Sequence, residues 1–98
     1  MKGIDIENKV VVITGAAGRI GSEYARAVAA AGAVAVIADT SQENGSKLAE
    51  EIRGNSGQAH FEPLDITSNE SLQRLITAVM GRYGRIDALV NNAYPRNE

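Results

Sequence analysis

A glycine-rich turn between a strand pattern and a helix pattern constrains the fold of this chain most strongly. Four consecutive apolar, β-branched residues, Val10 to Ile13, predict a strand buried on both faces. The segment Thr14 to Gly21 follows, with G-x-x-G-x-x-G spacing, and leads into a helix pattern. Gly15 permits a tight turn, Gly18 leaves the backbone open to a pyrophosphate, and Gly21 lets the helix pack closely on the sheet. The segment therefore predicts a phosphate-binding loop at a helix N-terminus.

Strand and helix patterns alternate along the rest of the chain. Further strands are predicted at residues 33–38, 58–64 and 86–90, and the segments between them have apolar residues every three or four positions. This alternation predicts an α/β fold built from βαβ units. The expected architecture is the N-terminal half of a Rossmann-type doubly wound parallel sheet, with strand order 3-2-1-4. A chain of 98 residues has room for one such domain, over residues 1–98, and not for two.

Helix periodicity also predicts which residues face the sheet and where the helices begin. Thr40 and Glu43 have capping-box spacing for the second helix, and Ser68 is expected to cap the third. The residues expected to face inward are Ile20, Tyr24, Ala27, Val28 and Ala31 in the first helix, Leu48, Ala49 and Ile52 in the second, and Leu72, Leu75, Ile76, Val79 and Tyr83 in the third.

An acidic residue, Asp39, ends the second predicted strand. A carboxylate there can accept hydrogen bonds from both hydroxyls of an adenosine ribose, and it would repel a 2′-phosphate. The next residues, Thr40 and Ser41, carry no positive charge, so the sequence favours NAD over NADP as the cofactor. Two alternatives stay open at this point: a solvated Asp39, and a turn whose glycines serve packing alone.

The turn, Asp39, Asp65-Ile66-Thr67 and Asp87 to Ala93 together resemble the short-chain dehydrogenase/reductase family over essentially the whole chain. The stretch Asn91-Asn92-Ala93 is the most specific part of this resemblance. The resemblance implies an oxidoreductase that transfers hydride between nicotinamide and a secondary alcohol or ketone. The implied cofactor-binding residues are Thr14, Gly15, Ala17, Gly18, Arg19, Ile20, Gly21, Asp39, Thr40, Leu64, Asp65, Ile66, Asn91, Asn92 and Ala93.

The resemblance also assigns roles to some of these residues. It implies that Asp65 bonds the adenine amino group, that the Ile66 backbone touches the ring, and that Ala93 lies beside the nicotinamide ribose. It implies that Thr14 ties the glycine turn to the fourth strand, and that Asn91 stabilises the sheet and lines the adenosine side.

Two positions depart from the family pattern. Arg19 stands where compact members of the family have the second glycine of T-G-x-x-x-G-x-G, and Tyr94 stands where a glycine is expected. The string from Asn91 to Asn97 resembles a subgroup associated with flagellin modification and nonulosonic-acid sugars, which points to a sugar-like substrate.

The catalytic residues of the family are not found in this sequence. Its chemistry needs a Tyr-x-x-x-Lys pair and a Ser, whereas the residues four positions after Tyr24, Tyr83 and Tyr94 are Val28, Asp87 and Glu98. No catalytic residue is therefore assigned, and we expect a C-terminally truncated domain that binds a dinucleotide without turnover. His60 has no second histidine or cysteine near it in the sequence, so we interpret it as structural and expect no metal site.

Composition narrows the partners. The net charge of −2, without a basic stripe, favours neither nucleic acid nor an anionic membrane. The absence of cysteine and of a signal peptide fits a cytoplasmic location. We expect a small-molecule substrate and a homo-oligomeric full-length protein. The alternatives are a non-catalytic module that binds an adenine dinucleotide and a Rossmann domain that binds S-adenosylmethionine, against which Asn91-Asn92-Ala93 argues.

Overall fold

Four strands alternate with three helices along residues 5–92, the part of the chain that the computed structural model describes. The elements are β1 (Val10–Thr14), α1 (Arg19–Ala30), β2 (Val34–Asp39), α2 (Gln42–Gly54), β3 (Gln58–Pro63), α3 (Asn69–Tyr83) and β4 (Ala88–Asn91). All strand pairs are parallel, and the order is β3-β2-β1-β4. The predicted Rossmann-type sheet with order 3-2-1-4 is thereby confirmed.

The register of the sheet places the polar strand ends at one edge. Thr14, the last residue of β1, lies opposite Ala38 of β2 and opposite Asn91 of β4. Asp39 follows Ala38 and pairs with Pro63 of β3. Because parallel strands end at the same edge, three of the predicted site residues come together there, next to the turn that joins β1 to α1.

The apolar strand residues divide between two cores, one on each face of the sheet. On the first face Val11, Ile13, Ala35 and Ile37 pack against the buried residues of α1 and α2. On the second face alternate residues of the same strands pack against α3. The buried members of this second core are Val10, Val12, Val34, Val36, Ala38, Leu64, Leu75 and Val79. The continuous apolar run in β1 and β2 therefore serves both faces, as expected of strands buried on both sides.

The inward face predicted for α1 is wrong except at Val28, which is half buried and packs against the first core. Ile20 and Tyr24 are 62% and 48% exposed, and the residues that face the sheet are Gly21, Ala25 and Ala29. The helix lies so close to the sheet that only small residues fit between them. Tyr24 is therefore a surface residue and not part of the core.

The faces of the other two helices are predicted more accurately. Leu48, Ala49 and Ile52 of α2 are buried as expected. In α3, Leu75 and Val79 are buried, whereas Leu72 and Ile76 are 42% and 38% exposed. The stripe predicted for α3 is thus too wide, because only one edge of it contacts the sheet.

The helix ends show one shift from the predicted caps. Ser41, and not Thr40, is the N-cap of α2: its side chain accepts a hydrogen bond from the Asn44 N–H. Ser68 caps α3 as predicted, and Gly84 ends that helix in the left-handed conformation with φ of 74°. Other element bounds differ from the prediction by one or two residues.

Candidate functional site

The turn between β1 and α1 is held against the end of β2. Gly15 has a φ of 67°, in the region that favours glycine, which lets the chain leave β1 sharply. Its N–H donates to the Ala38 carbonyl oxygen at 2.8 Å. The turn then closes through a bond from the Gly18 N–H to the Gly15 carbonyl oxygen at 3.2 Å. Backbone bonds therefore contribute to fixing the path of the turn at its start.

The three glycines of the turn differ in whether the fold requires glycine at their positions. A Cβ atom added to Gly21 would lie 2.2 Å from the Gly15 carbonyl oxygen, so this position requires glycine for packing. A Cβ atom on Gly18 would lie 3.4 Å from the same oxygen, which is an ordinary contact. Gly18 is exposed and has an extended backbone, with φ of −79°. The fold itself therefore leaves room for a side chain at Gly18.

The N-terminus of α1 is open. Gly18 is its N-cap and contributes no side-chain hydrogen bond, and the first turn holds no acidic residue. Within residues 5–92 the N–H groups of Arg19 and Ile20 have no hydrogen-bond acceptor. The Arg19 side chain is exposed and forms no ion pair with the described part of the chain. Free N–H groups, the positive end of the helix dipole and a free guanidinium together can bind an anion.

The Asp39 carboxylate lies beside this turn and contacts it directly. One oxygen, Oδ2, accepts a hydrogen bond from the Ala17 N–H at 3.0 Å, and Oδ1 accepts one from the Ser41 N–H at 2.9 Å. Sequence reasoning placed Asp39 near a bound ribose but missed its bond to the turn. Ala17 and Asp39 are 22 residues apart, and no local pattern reports the contact.

Thr14 connects the turn to the end of β4. Its side chain is buried, and its hydroxyl donates to Asn91 Oδ1 at 3.0 Å and accepts from the Asn92 N–H at 3.0 Å. The Asn92 side-chain amide reaches the Gly15 carbonyl oxygen at 3.4 Å. The start of the turn is thus tied to β4 by Thr14 and Asn92. Ala93, also predicted at this site, lies outside the described residues.

The remaining predicted residues follow β2 and β3. Thr40 is exposed, and the Leu64 N–H donates to the Asp39 carbonyl oxygen at 3.0 Å, which places Asp65 just beyond that end of the sheet. The Asp65 carboxylate accepts bonds from the Thr67 hydroxyl at 2.6 Å and from the Thr67 N–H at 2.9 Å. These bonds lower the pKa of Asp65 below its usual value. Ile66 is 38% exposed and available to a ligand.

His60 is a structural residue away from this turn. Its Nδ1 lies 2.8 Å from the Tyr83 hydroxyl and its Nε2 lies 2.9 Å from Glu62 Oε2, so both ring nitrogens have partners. Burial lowers the pKa of His60, while the bond to Glu62 opposes that shift. Tyr83, predicted to lie on the inward face of α3, therefore anchors that helix to β3 by its hydroxyl.

Among residues 5–92, no helix is long and apolar enough to cross a membrane.

A curated relative, the 7alpha-hydroxysteroid dehydrogenase of Bacteroides fragilis, is 46% identical over 88 residues, which cover 88% of this chain and 33% of the relative. The L-fucose dehydrogenase of Oryctolagus cuniculus is 42% identical over 91 residues, covering 93% of this chain and 31% of the relative. The chain thus spans about a third of the length of the curated relatives it matches.

Solved structures show the same arrangement of elements. A hydroxysteroid dehydrogenase from Escherichia coli superposes with a TM-score of 0.88 at 37% identity, over 92% of this chain and 38% of the other. A metagenomic short-chain oxidoreductase in complex with NADP superposes with a TM-score of 0.88 at 30% identity, over 94% of this chain and 42% of the other. The sequence model of the short chain dehydrogenase family matches residues 9–94, nearly the whole chain. With the predicted sheet, the glycine turn and Asn91-Asn92 in place, this protein belongs to the short chain dehydrogenase family.

Proposed function

We propose that the turn between β1 and α1 binds NAD, and that the protein is part of an oxidoreductase acting on a secondary alcohol or ketone of a small molecule. The observation that carries this proposal is the position of the Asp39 carboxylate beside the open N-terminus of α1. A phosphate-binding group and a ribose-binding group thereby lie next to each other at the carboxyl edge of the sheet.

The donors and acceptors of the site fit a dinucleotide. The free N–H groups of Arg19 and Ile20 would receive the pyrophosphate, and the exposed Gly18 offers no side chain to block its approach. Asp39 would accept hydrogen bonds from the adenosine ribose. The exposed residues Asp65 and Ile66, at the end of β3, would border the adenine.

Charge at the ribose end favours NAD over NADP. A 2′-phosphate would lie against the Asp39 carboxylate, and the following residues, Thr40 and Ser41, offer no positive charge to compensate. Two ribose hydroxyls, in contrast, would each form a charge-assisted bond worth about 1.5–3 kcal/mol. One structural neighbour was solved with NADP, so the fold by itself accommodates either cofactor and the choice rests on these side chains.

The residues of this chain would bind and orient the cofactor rather than perform the reaction. When bound, the nicotinamide supplies or receives the hydride. Asn91 and Asn92, held by Thr14, would form the floor of the site near the end of β4. The 98 residues contain no Tyr-x-x-x-Lys pair to exchange a proton with the substrate oxygen, so we propose that they bind NAD without turnover.

The substrate proposal is sugar-like, in keeping with the resemblance at Asn91 to Asn97. One relative is named an L-fucose dehydrogenase, after a sugar, whereas another is named a 7alpha-hydroxysteroid dehydrogenase, after a steroid. The subgroup concerned with flagellin modification and nonulosonic-acid sugars stays a prediction, since Tyr94 lies outside the described residues. A cytoplasmic location and a homo-oligomeric full-length protein stay predictions as well.

Cofactor binding is tested by titrating the protein with NADH and with NADPH and following nicotinamide fluorescence. We expect NADH to bind at least about tenfold more tightly, a difference of about 1.4 kcal/mol. The double variant Asp39→Ala with Thr40→Arg should reverse the preference. Equal or tighter binding of NADPH to the unmodified protein would contradict the NAD proposal.

A second candidate function is a non-catalytic module that binds an adenine nucleotide. It rests on the same turn and Asp39, which would bind an adenine nucleotide whether or not the chain is catalytic. Extending the open reading frame beyond Glu98 distinguishes the two: such a pair in the following sequence supports the dehydrogenase, and its absence supports the binding module. Binding of S-adenosylmethionine in place of NADH would contradict both.

A further inference from the structure

We propose that Asp39 is a positioning residue for the phosphate-binding turn, so that its carboxylate shapes the site for the pyrophosphate as well as contacting the ribose. This inference rests on the proposed binding of NAD and deepens it. Recognition of the ribose does not require a contact with the turn, yet Asp39 Oδ2 lies 3.0 Å from the Ala17 nitrogen, within hydrogen-bond distance.

The contact occurs where the turn has few other restraints. Gly15 and Ala16 are fastened by their N–H groups to the Ala38 carbonyl oxygen, at 2.8 and 3.5 Å. Ala16 is fully buried, so the chain is anchored up to that residue. Ala17 comes next, is only half buried, and its N–H donates to Asp39. Between the buried Ala16 and the start of α1, the turn is therefore held by the Asp39 carboxylate at Ala17 and by the bond from the Gly18 N–H to the Gly15 carbonyl oxygen.

The same contact separates the part of the site that would hold the ribose, at Asp39, from the part that would hold the pyrophosphate, at the start of α1. Because the Ala17 N–H is occupied by Asp39, it points away from a phosphate and toward the end of β2. The N–H groups left for the pyrophosphate are those of Arg19 and Ile20, two and three residues further along. Asp39 thus keeps the ribose end acidic and leaves the donors of α1 to the phosphates.

The carboxylate has the capacity to hold the turn and the ribose at once. Two carboxylate oxygens offer about four lone-pair positions. The Ala17 and Ser41 N–H groups use one position on each oxygen. One position on each oxygen is left, which matches a pair of neighbouring hydroxyls. Ribose binding therefore does not require the turn to be released.

A ligand without ribose hydroxyls tests the positioning role. 2′,3′-Dideoxyadenosine diphosphate carries the diphosphate but has nothing to donate to Asp39. If the carboxylate positions the turn, Asp39→Ala should weaken the binding of this ligand by about tenfold, the equivalent of one charge-assisted hydrogen bond. If the carboxylate only reads the ribose, Asp39→Ala should leave binding unchanged or tighten it, since a negative charge near the diphosphate has been removed.

Two further variants complete the measurement. Asp39→Asn keeps an oxygen that can accept from the Ala17 N–H, so it should restore most of the affinity for the dideoxy ligand. Glu43→Ala removes an equal charge from the exposed first turn of α2, where Glu43 pairs with Lys47, and should change nothing. In the ligand-free protein, amide hydrogen exchange at Ala17 should be faster in Asp39→Ala and near normal in Asp39→Asn.

The outcomes separate this inference from the proposed function. Tight NADH binding to the unmodified protein, with the dideoxy ligand unaffected by Asp39→Ala and exchange at Ala17 unchanged, would overturn the positioning role and leave NAD binding intact. If the unmodified protein binds neither NADH nor adenosine diphosphate, the proposed function fails. Exchange at Ala17 would then still decide whether Asp39 positions the turn.

Discussion

The first and third helices begin in opposite ways. The α3 helix supplies its own acceptors: Ser68 Oγ accepts from the Ser71 N–H at 3.1 Å, and Glu70 places a negative charge in the first turn. The α1 helix begins at Gly18, without a side-chain cap and without an acidic residue in its first turn. A glycine N-cap costs only a few tenths of a kcal/mol relative to serine. The open end of α1 is therefore a small loss of stability beside the turn that we propose to bind a phosphate.

The start of α2 resembles that of α3. Ser41 Oγ accepts from the Asn44 N–H at 3.3 Å, and Glu43 lies in the first turn. Two of the three helices in residues 5–92 are thus closed by serine and glutamate, although all three begin at the carboxyl edge of the same sheet. The fold alone therefore does not account for the difference, and substitutions at the helix starts test whether ligand binding does.

The largest expected effect comes from adding a side chain at Gly21, where α1 packs directly against the turn that precedes it. Gly21→Ala would place a Cβ atom 2.2 Å from the Gly15 carbonyl oxygen, and α1 would have to move off the sheet. We expect the free energy of unfolding to fall by about 3 kcal/mol. Urea denaturation measures it. The matched control is Gly81→Ala in α3, where an added Cβ has no neighbour within 4 Å and should stabilise by about 0.4–1 kcal/mol. Equal effects of the two substitutions would contradict the close packing of α1.

A smaller effect, mainly on binding, is expected at Gly18. Gly18→Val should cost less than about 1 kcal/mol of stability, because a Cβ atom there makes only an ordinary 3.4 Å contact and the remaining cost is the lower preference for valine at an N-cap. The side chain would stand where the pyrophosphate approaches, and NADH affinity should fall by about tenfold or more, at least about 1.4 kcal/mol. Unchanged NADH affinity would show that this turn does not hold the phosphates.

The strand order and the serine cap of α3 could be predicted from the sequence because they depend on local signals, whereas the cap of α2 lies at Ser41, one residue after the predicted Thr40. Strand–helix alternation leaves few parallel topologies, and Ser68 has the residue type and place of an N-cap. The inward face of α1 could not be predicted in the same way. Apolar size favoured Ile20 and Tyr24, whereas the closeness of the helix to the sheet selects Gly21 and Ala25.

In the candidate site, too, features with a local signal could be predicted from the sequence and contacts that depend on strand pairing could not. The glycine spacing and Asp39 indicated a nucleotide site, since each has a local chemical reason. The bond between Asp39 and Ala17 depends on how β1 and β2 pair, with Thr14 opposite Ala38. That register brings together residues far apart in sequence, and no periodicity in the chain encodes it.

Removing the cap of α3 should have an effect of intermediate size and leave ligand binding untouched. Ser68→Ala deletes the acceptor of the Ser71 N–H and should lower the free energy of unfolding by about 1 kcal/mol. Urea denaturation and an NADH titration of the same protein check both halves. A change in NADH affinity comparable to that of Gly18→Val would mean that the two helix starts are not independent.

The smallest expected effect concerns Arg19, the first residue of α1. Its guanidinium is exposed and has no acidic partner within residues 5–92, so an incoming phosphate would be its counter-charge. Because solvent screens such a pair, Arg19→Ala should weaken NADH binding by only about two- to fivefold, in line with about 0.4–1 kcal/mol. The loss should shrink when the ionic strength rises from about 0.01 M to about 0.15 M, since the Debye length falls from about 30 Å to about 8 Å.

The control is Arg74→Ala, which removes another exposed arginine, paired with Glu70 on α3. It should not alter NADH affinity at either ionic strength. A loss at Arg19 that does not depend on salt would point to lost packing of the side chain against the ligand rather than to its charge.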